Sequence, residues 1–209
     1  GNAPQAHKFS RRLPFLLLCM VLLFVYVGVE TSGGGWASTY LQRVAGADAV
    51  LAASASAAFW GAILVSRLSA VGVLRYASVL TVLTGSILLV ITGGVLMLLL
   101  PSPLAVIASI AIIGLGCGPI FANTLAYFLE HFGNGADRLS GLMFAAGGTG
   151  GALIPLWIGE ISDAAGSLRL GLTLIPACAL AMLLLLAAVA YSRPSRRGRP
   201  NATGTHATL

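Results

Sequence analysis

The chain has 209 residues, of which 57% are hydrophobic and only 9% are charged. Soluble domains are about a quarter charged, so these residues cannot cover a water-facing surface of this size, and a mean hydropathy of +0.93 points to a membrane protein. A net charge of +6 and an isoelectric point near 9.8 do not make a nucleic-acid binder, because the basic residues flank apolar runs and have no basic domain behind them.

Uncharged stretches run from Leu13 to Val29, Ala49 to Ser66, Tyr76 to Leu129, Leu139 to Gly159 and Leu170 to Ser192. A helix needs about 20 apolar residues to cross the hydrocarbon. The third stretch, 54 residues with Pro101-Ser-Pro103 at its middle, is therefore two crossings. The pattern predicts six spans, at roughly 13–40, 49–68, 76–99, 104–128, 139–162 and 169–191. A membrane barrel would alternate apolar and polar residues in segments of about ten. These runs are apolar on every face, and helices satisfy the backbone within each segment. The expected fold is all-α, a polytopic bundle of six transmembrane helices in a lipid bilayer. Residues 1–12 read as a cytoplasmic linker of a longer protein, 13–192 as the transmembrane domain and 193–209 as a disordered cytoplasmic tail.

Orientation follows from Lys and Arg. With the N-terminus inside, the inner side holds Lys8, Arg11, Arg12, Arg67, Arg75, Arg138, Arg193, Arg196, Arg197 and Arg199, and the outer side only Arg43 and Arg169. Both termini are expected in the cytoplasm, so the glycosylation sequon at Asn201 reads as chance. Short connections, such as Pro101–Pro103 and Gly166–Ser167, make sequential helices antiparallel neighbours. They also leave no room for a soluble catalytic domain.

Span one carries an anomaly. Residues 25–40 read VYVGVETSGGGWASTY, with Glu30 closing seventeen uncharged residues. A carboxylate at membrane depth costs several kcal/mol unless it faces protein, water or a partner. Gly33, Gly34 and Gly35 follow within a turn, each weakening a helix by roughly 1 kcal/mol relative to Ala. The expected outcome is a helix whose outer end bends or breaks beside a water-filled pocket that Glu30 faces. Trp36 and Tyr40 would then line its mouth or anchor the interface. The alternative is a span that ends near Glu30, among headgroups.

Span two places Phe59 and Trp60 at its middle, as a stacking surface for a sugar ring or as core and lipid-facing aromatics. Arg67 and Arg75 flank the following inner loop, as salt-bridge or helix-end groups or as plain topology signals. Span four contains GLGCGPIFANTLAYFLE, residues 114–130. No strand precedes its glycines, so they are not a dinucleotide loop. They let helices approach closely, and Pro119 kinks the span. Asn123 then sits at mid-membrane, bonded to a polar substrate or to a neighbouring helix. Span five contains FAAGGTGGALIPLWIGE, residues 144–160. Gly147, Gly148, Gly150 and Gly151 form a face for tight packing, and Pro155 adds a kink. Trp157 and Glu160 lie near the outer end on one face, Glu160 as a second cavity carboxylate or as an exposed helix end. Gly61-Ala-Ile-Leu64 and Gly151-Ala-Leu-Ile154 hint at a three-plus-three inverted repeat.

Cys19, Cys117 and Cys178 read as structural thiols within spans. His7, His131 and His206 share no helix face with a second ligand type, and no nucleophile, acid and base converge. Neither a metal, a cofactor nor an enzyme activity is expected.

In order and content, these features resemble the C-terminal six-helix half of a major facilitator superfamily transporter, and within it the fucose permease-like branch. The carrying stretches are FVYVGVETSGGGWASTYL, AAFWGAILVSRL, GLGCGPIFANTLAY and GLMFAAGGTGGALIPLWIGEISDAAG, read as the family's seventh, eighth, tenth and eleventh helices. The resemblance implies alternating access against an N-terminal six-helix half, in a bacterial inner (plasma) membrane, with proton-coupled uptake of a sugar or similar small solute. It marks Tyr26, Glu30 and Asn123 as cavity residues, with Phe59 or Trp60 and Trp157 beside them; together with Trp36 at the expected mouth, these are the substrate-binding candidates. Glu30 is the proton-coupling candidate. Ala122 stands where the family often has a proline, and the main coupling carboxylates of such symporters lie in the other half. An efflux carrier of apolar drugs or metabolites with the same fold, and a non-transporting six-span scaffold, are the rival readings.

Overall fold

In the computed structural model the described residues are 3–132 and 135–192, with side chains from Arg12 onward apart from that of Asp137. The tail at 193–209, with its arginines and the Asn201 sequon, lies outside the described residues. Eight helical segments follow in chain order: α1 (Ala3–Arg43), α2 (Ala49–Val73), α3 (Val79–Leu99), α4 (Pro103–Cys117), α5 (Ile120–Phe132), α6 (Ala136–Ala165), α7 (Leu168–Leu172) and α8 (Leu174–Ser192). They make six spans long and apolar enough to cross a membrane, with α4–α5 and α7–α8 each forming one interrupted span. The backbone is already helical at Ala3, so the polar stretch expected as a linker runs straight into span one.

The turns follow from local chemistry. Gly46 and Gly166 sit at φ +70° and +62°, a region closed to most side chains. Gly166 ends α6 and its N–H returns to Asp163 O, while Asp48 caps α2 by accepting from Leu51 N at 2.8 Å. Ser78 caps α3 in the same way.

Within the spans, several hydroxyls are satisfied by their own helix, since hydrocarbon offers no partner, whereas the buried hydroxyls of Thr124 and Tyr127 have none among the described residues. Thr31 donates to Val27 O, Ser32 to Gly28 O, Ser109 to Ala105 O and Ser162 to Ile158 O.

Span one packs on spans five and six, and span four on spans two and three. Exchanging the first triplet of spans for the second maps these contacts onto each other, as in an inverted repeat. The Gly61 and Gly151 match does not carry this symmetry: a side chain at Gly61 would meet nothing within 4 Å, whereas Gly151 faces Thr31 and Val27. The close approaches lie elsewhere. A methyl group at Gly150 would collide with the Phe24 carbonyl, one at Gly116 would sit 2.5 Å from Ser86 O, and one at Gly114 2.5 Å from Phe59 O. Spans one and four bury 44% and 56% of their apolar windows inside the chain, against 22% and 28% for spans two and five. Spans one and four are therefore the core, and spans two and five carry its outward faces. Cys19 and Cys117 are buried free thiols and Cys178 is half-buried.

Candidate functional site

The site grows out of the interruption in span four. Pro119 has no N–H, so the carbonyl four residues before it, Leu115 O, loses its helical donor. The span breaks between Cys117 and Ile120. Three side chains from spans one and two fill the gap. Ser66 donates to Leu115 O, the Tyr26 hydroxyl to Cys117 O at 3.0 Å, and Arg67 Nε to Gly118 O at 3.3 Å. Broken backbone at membrane depth is tolerated only when its polar groups find such partners. Gly118 permits the approach: a Cβ there would lie 2.8 Å from Ile63 O and from the Ser66 side chain.

Arg67 also holds the acid of span one. Its Nη2 donates to Glu30 Oε1 at 2.8 Å. Side chains on a helix lean toward its N-terminus. Because α1 and α2 run antiparallel, Arg67 leans away from the nearer membrane edge and Glu30 leans toward it, so the two meet between their backbone levels. The Glu30 side chain is 13% exposed and the Arg67 side chain 52%, so the pair is closed on the Glu30 side and open on the other. Tyr26 lies one turn before Glu30 on the same helix face. One cluster thus ties the acid of span one, the cation of span two and the break of span four.

The other expected residues divide. Phe59 is fully buried, its ring filling the space beside Gly33, while Trp60 packs on Gly34 and is half exposed. Asn123 is buried, but its Nδ2 donates to Pro119 O at 2.8 Å, in its own helix just past the break. This bond stays within span four rather than reaching a neighbouring helix. Trp157 is half exposed on span five, its ring 6.4 Å from that of Phe24, and Glu160 is exposed near the C-terminal end of α6. Trp36 is separate from the cluster; it borders a cavity at the Arg43 end of the bundle.

The expected break of span one is corrected. α1 runs unbroken through Gly33–Gly35 to Arg43, and Gly33 and Gly34 instead give room to Phe59 and Trp60. Ser56 adds a donor to Gly34 O at 3.0 Å. A second interruption was not expected: span six breaks at Thr173, between α7 and α8, three residues before Pro176.

Ser66 and Arg67 are the participants that sequence reasoning did not assign to the site, although Arg67 reads from the sequence as a salt-bridge or helix-end group. The signal for Arg67 is its place within the span predicted at 49–68, six residues before the end of α2.

No family profile and no curated protein match the chain. Solved structures do. The chain superposes on the major facilitator superfamily transporter FucP in its outward conformation with a TM-score of 0.75, at 18% identity, over 91% of this chain and 45% of that one. A second structure, of the E. coli fucose:proton symporter FucP, gives 0.74 at 16% identity, over 88% and 45%. The peptide transporter POT gives 0.71 at 18% identity, over 85% and 38%. The chain therefore has the fold of one six-helix half of a major facilitator superfamily transporter, and it spans less than half the length of the structures it matches.

Proposed function

We propose that this chain is the C-terminal half of a secondary transporter that moves a small polar solute, a sugar by its likeness to a fucose:proton symporter, through alternating access against an N-terminal six-helix half. Glu30 is its proton-coupling group. One observation carries this reading: a carboxylate 18 residues from Arg12 and 13 from Arg43, deep in span one, is ion-paired with a half-exposed arginine at a helix break. A charge at this depth is costly to bury. It marks a substrate or proton path by default, and broken helices frame binding sites in such carriers. The likeness to the fucose:proton symporter supports a sugar and protons as the first solutes to try.

A second reading is a carrier of apolar compounds. It is favoured by Asn123, whose amide nitrogen donates to its own span, and by the exposed Trp60, Phe144 and Trp157.

The test is the whole transporter reconstituted in proteoliposomes with a panel of sugars. Glu30→Gln should abolish accumulation driven by a proton gradient while leaving solute exchange at equilibrium. Undiminished gradient-driven accumulation in that variant would remove Glu30 from coupling. Transport of lipophilic cations but of no sugar would favour the second reading.

A further inference from the structure

We infer that the end of the bundle opposite the N-terminus holds an oxyanion-binding site built by Arg43 and Arg169. A cavity of about 780 Å³ opens there, bordered by Trp36, Arg43, Ser162, Asp163, Ser167 and Arg169. Its size is within the range of small-molecule sites, about 300–1,000 Å³. The two arginines stand far apart in sequence, one closing α1 and one in α7. They are also the two Lys or Arg residues that the charge pattern leaves on this side of the membrane. Cations are depleted from the translocated side, so their convergence on a single cavity is not a topology signal.

Charge defines the ligand. Two guanidinium groups and one carboxylate, Asp163, border the cavity, which leaves one positive charge in excess. Among the described residues no ion pair joins either arginine to Asp163. The Tyr40 hydroxyl lies beside Arg169 and donates to Met97 O at 2.9 Å, so it can engage only one of the five guanidinium donors of Arg169. Ser167 accepts from Leu170 N, which leaves its own hydroxyl hydrogen free to donate. Guanidinium forks match carboxylate and phosphate geometry. Trp36, lying against Gly159, forms an aromatic wall beside them. The ligand chemistry is a phosphate or carboxylate group, and its source is either a free solute or the headgroup of an anionic lipid. The site lies apart from the Glu30–Arg67 cluster and does not depend on the coupling role given to Glu30.

Titration calorimetry tests it with the whole protein in neutral detergent at low ionic strength and inorganic phosphate as the probe. In parallel, the melting temperature is compared in phosphatidylcholine nanodiscs with and without phosphatidylglycerol. A free-solute site gives saturable phosphate binding that Arg43→Gln/Arg169→Gln weakens by at least about tenfold, since a hydrogen bond to a charged group contributes about 1.5–3 kcal/mol. A lipid site gives no phosphate heat, but a phosphatidylglycerol-dependent rise in melting temperature that the same variant loses. Asp163→Asn should tighten whichever response is seen, a gain that misfolding cannot produce. No response to either probe, a response indifferent to the arginines, or weakening by Asp163→Asn would each overturn the site.

Discussion

Glu30 and Arg67 meet because a long cation and a short acid lean toward each other from antiparallel helices. The consequences of breaking the pair differ for its two ends. Arg67→Met leaves a mostly buried carboxylate without its partner and removes the donor on Gly118 O. It should lower stability in detergent by about 1–3 kcal/mol, read as a fall in Tm. Glu30→Gln keeps a polar, uncharged group of nearly the same shape against a half-exposed arginine and should cost clearly less. The double variant should be more stable than the sum of the two single losses, because neither charge is left alone. Strict additivity of the three melting curves would mean that the ion pair does not couple the two spans. Glu30 was legible as an outlier in an uncharged run. The partner was not, because sequence spacing across two helices says nothing about which way a flexible cation turns.

At the scale of elements, two kinds of glycine and one proline make separable predictions. Gly116→Ala would press a methyl group to within 2.5 Å of Ser86 O, on backbone that cannot swing aside, and should destabilise by about 1–3 kcal/mol. Gly61→Ala meets nothing within 4 Å and should be neutral or stabilise by up to about 1 kcal/mol through helix propensity. Thermal melts of the two variants check the contrast. Pro119→Ala returns a backbone N–H to Leu115 O, which Ser66 otherwise satisfies alone. Ser66→Ala should then cost about 1 kcal/mol in the parent protein and close to nothing in the Pro119→Ala background. An equal cost in both backgrounds would show that the serine is not compensating for the proline. A kink was readable from Pro119, which the structure makes a full break, and the residues that cap it were not readable. The glycine triplet of span one misled for a related reason: low helix propensity is a local quantity, and packing against Phe59 and Trp60 overrides it.

For the whole molecule, the charge pattern predicts that Gln42 and Tyr76, both exposed, lie on opposite sides of the membrane. In a Cys178→Ser background, Gln42→Cys should react with an impermeant maleimide from outside intact cells, and Tyr76→Cys only after permeabilisation. Reversal of the two would invert the topology and move the Arg43–Arg169 cavity to the cytoplasmic face. The outward faces of spans two and five, with Trp60, Leu64, Phe144 and Trp157, are where a second six-helix half would rest under the function proposed. The amino-acid sequence by itself determined the class, the number of spans and the kink in span four. Each of these follows from local quantities: apolar length against bilayer thickness, charge counted per loop, and a missing N–H. Only the tertiary structure decided that this kink opens into a break on which Tyr26, Ser66 and Arg67 converge, that Asn123 turns back on its own helix, and that Arg43 and Arg169 share one cavity. Those outcomes depend on the rotation and depth at which helices pack, which close contacts such as Gly150 on Phe24 and Gly116 on Ser86 set between segments distant in the chain.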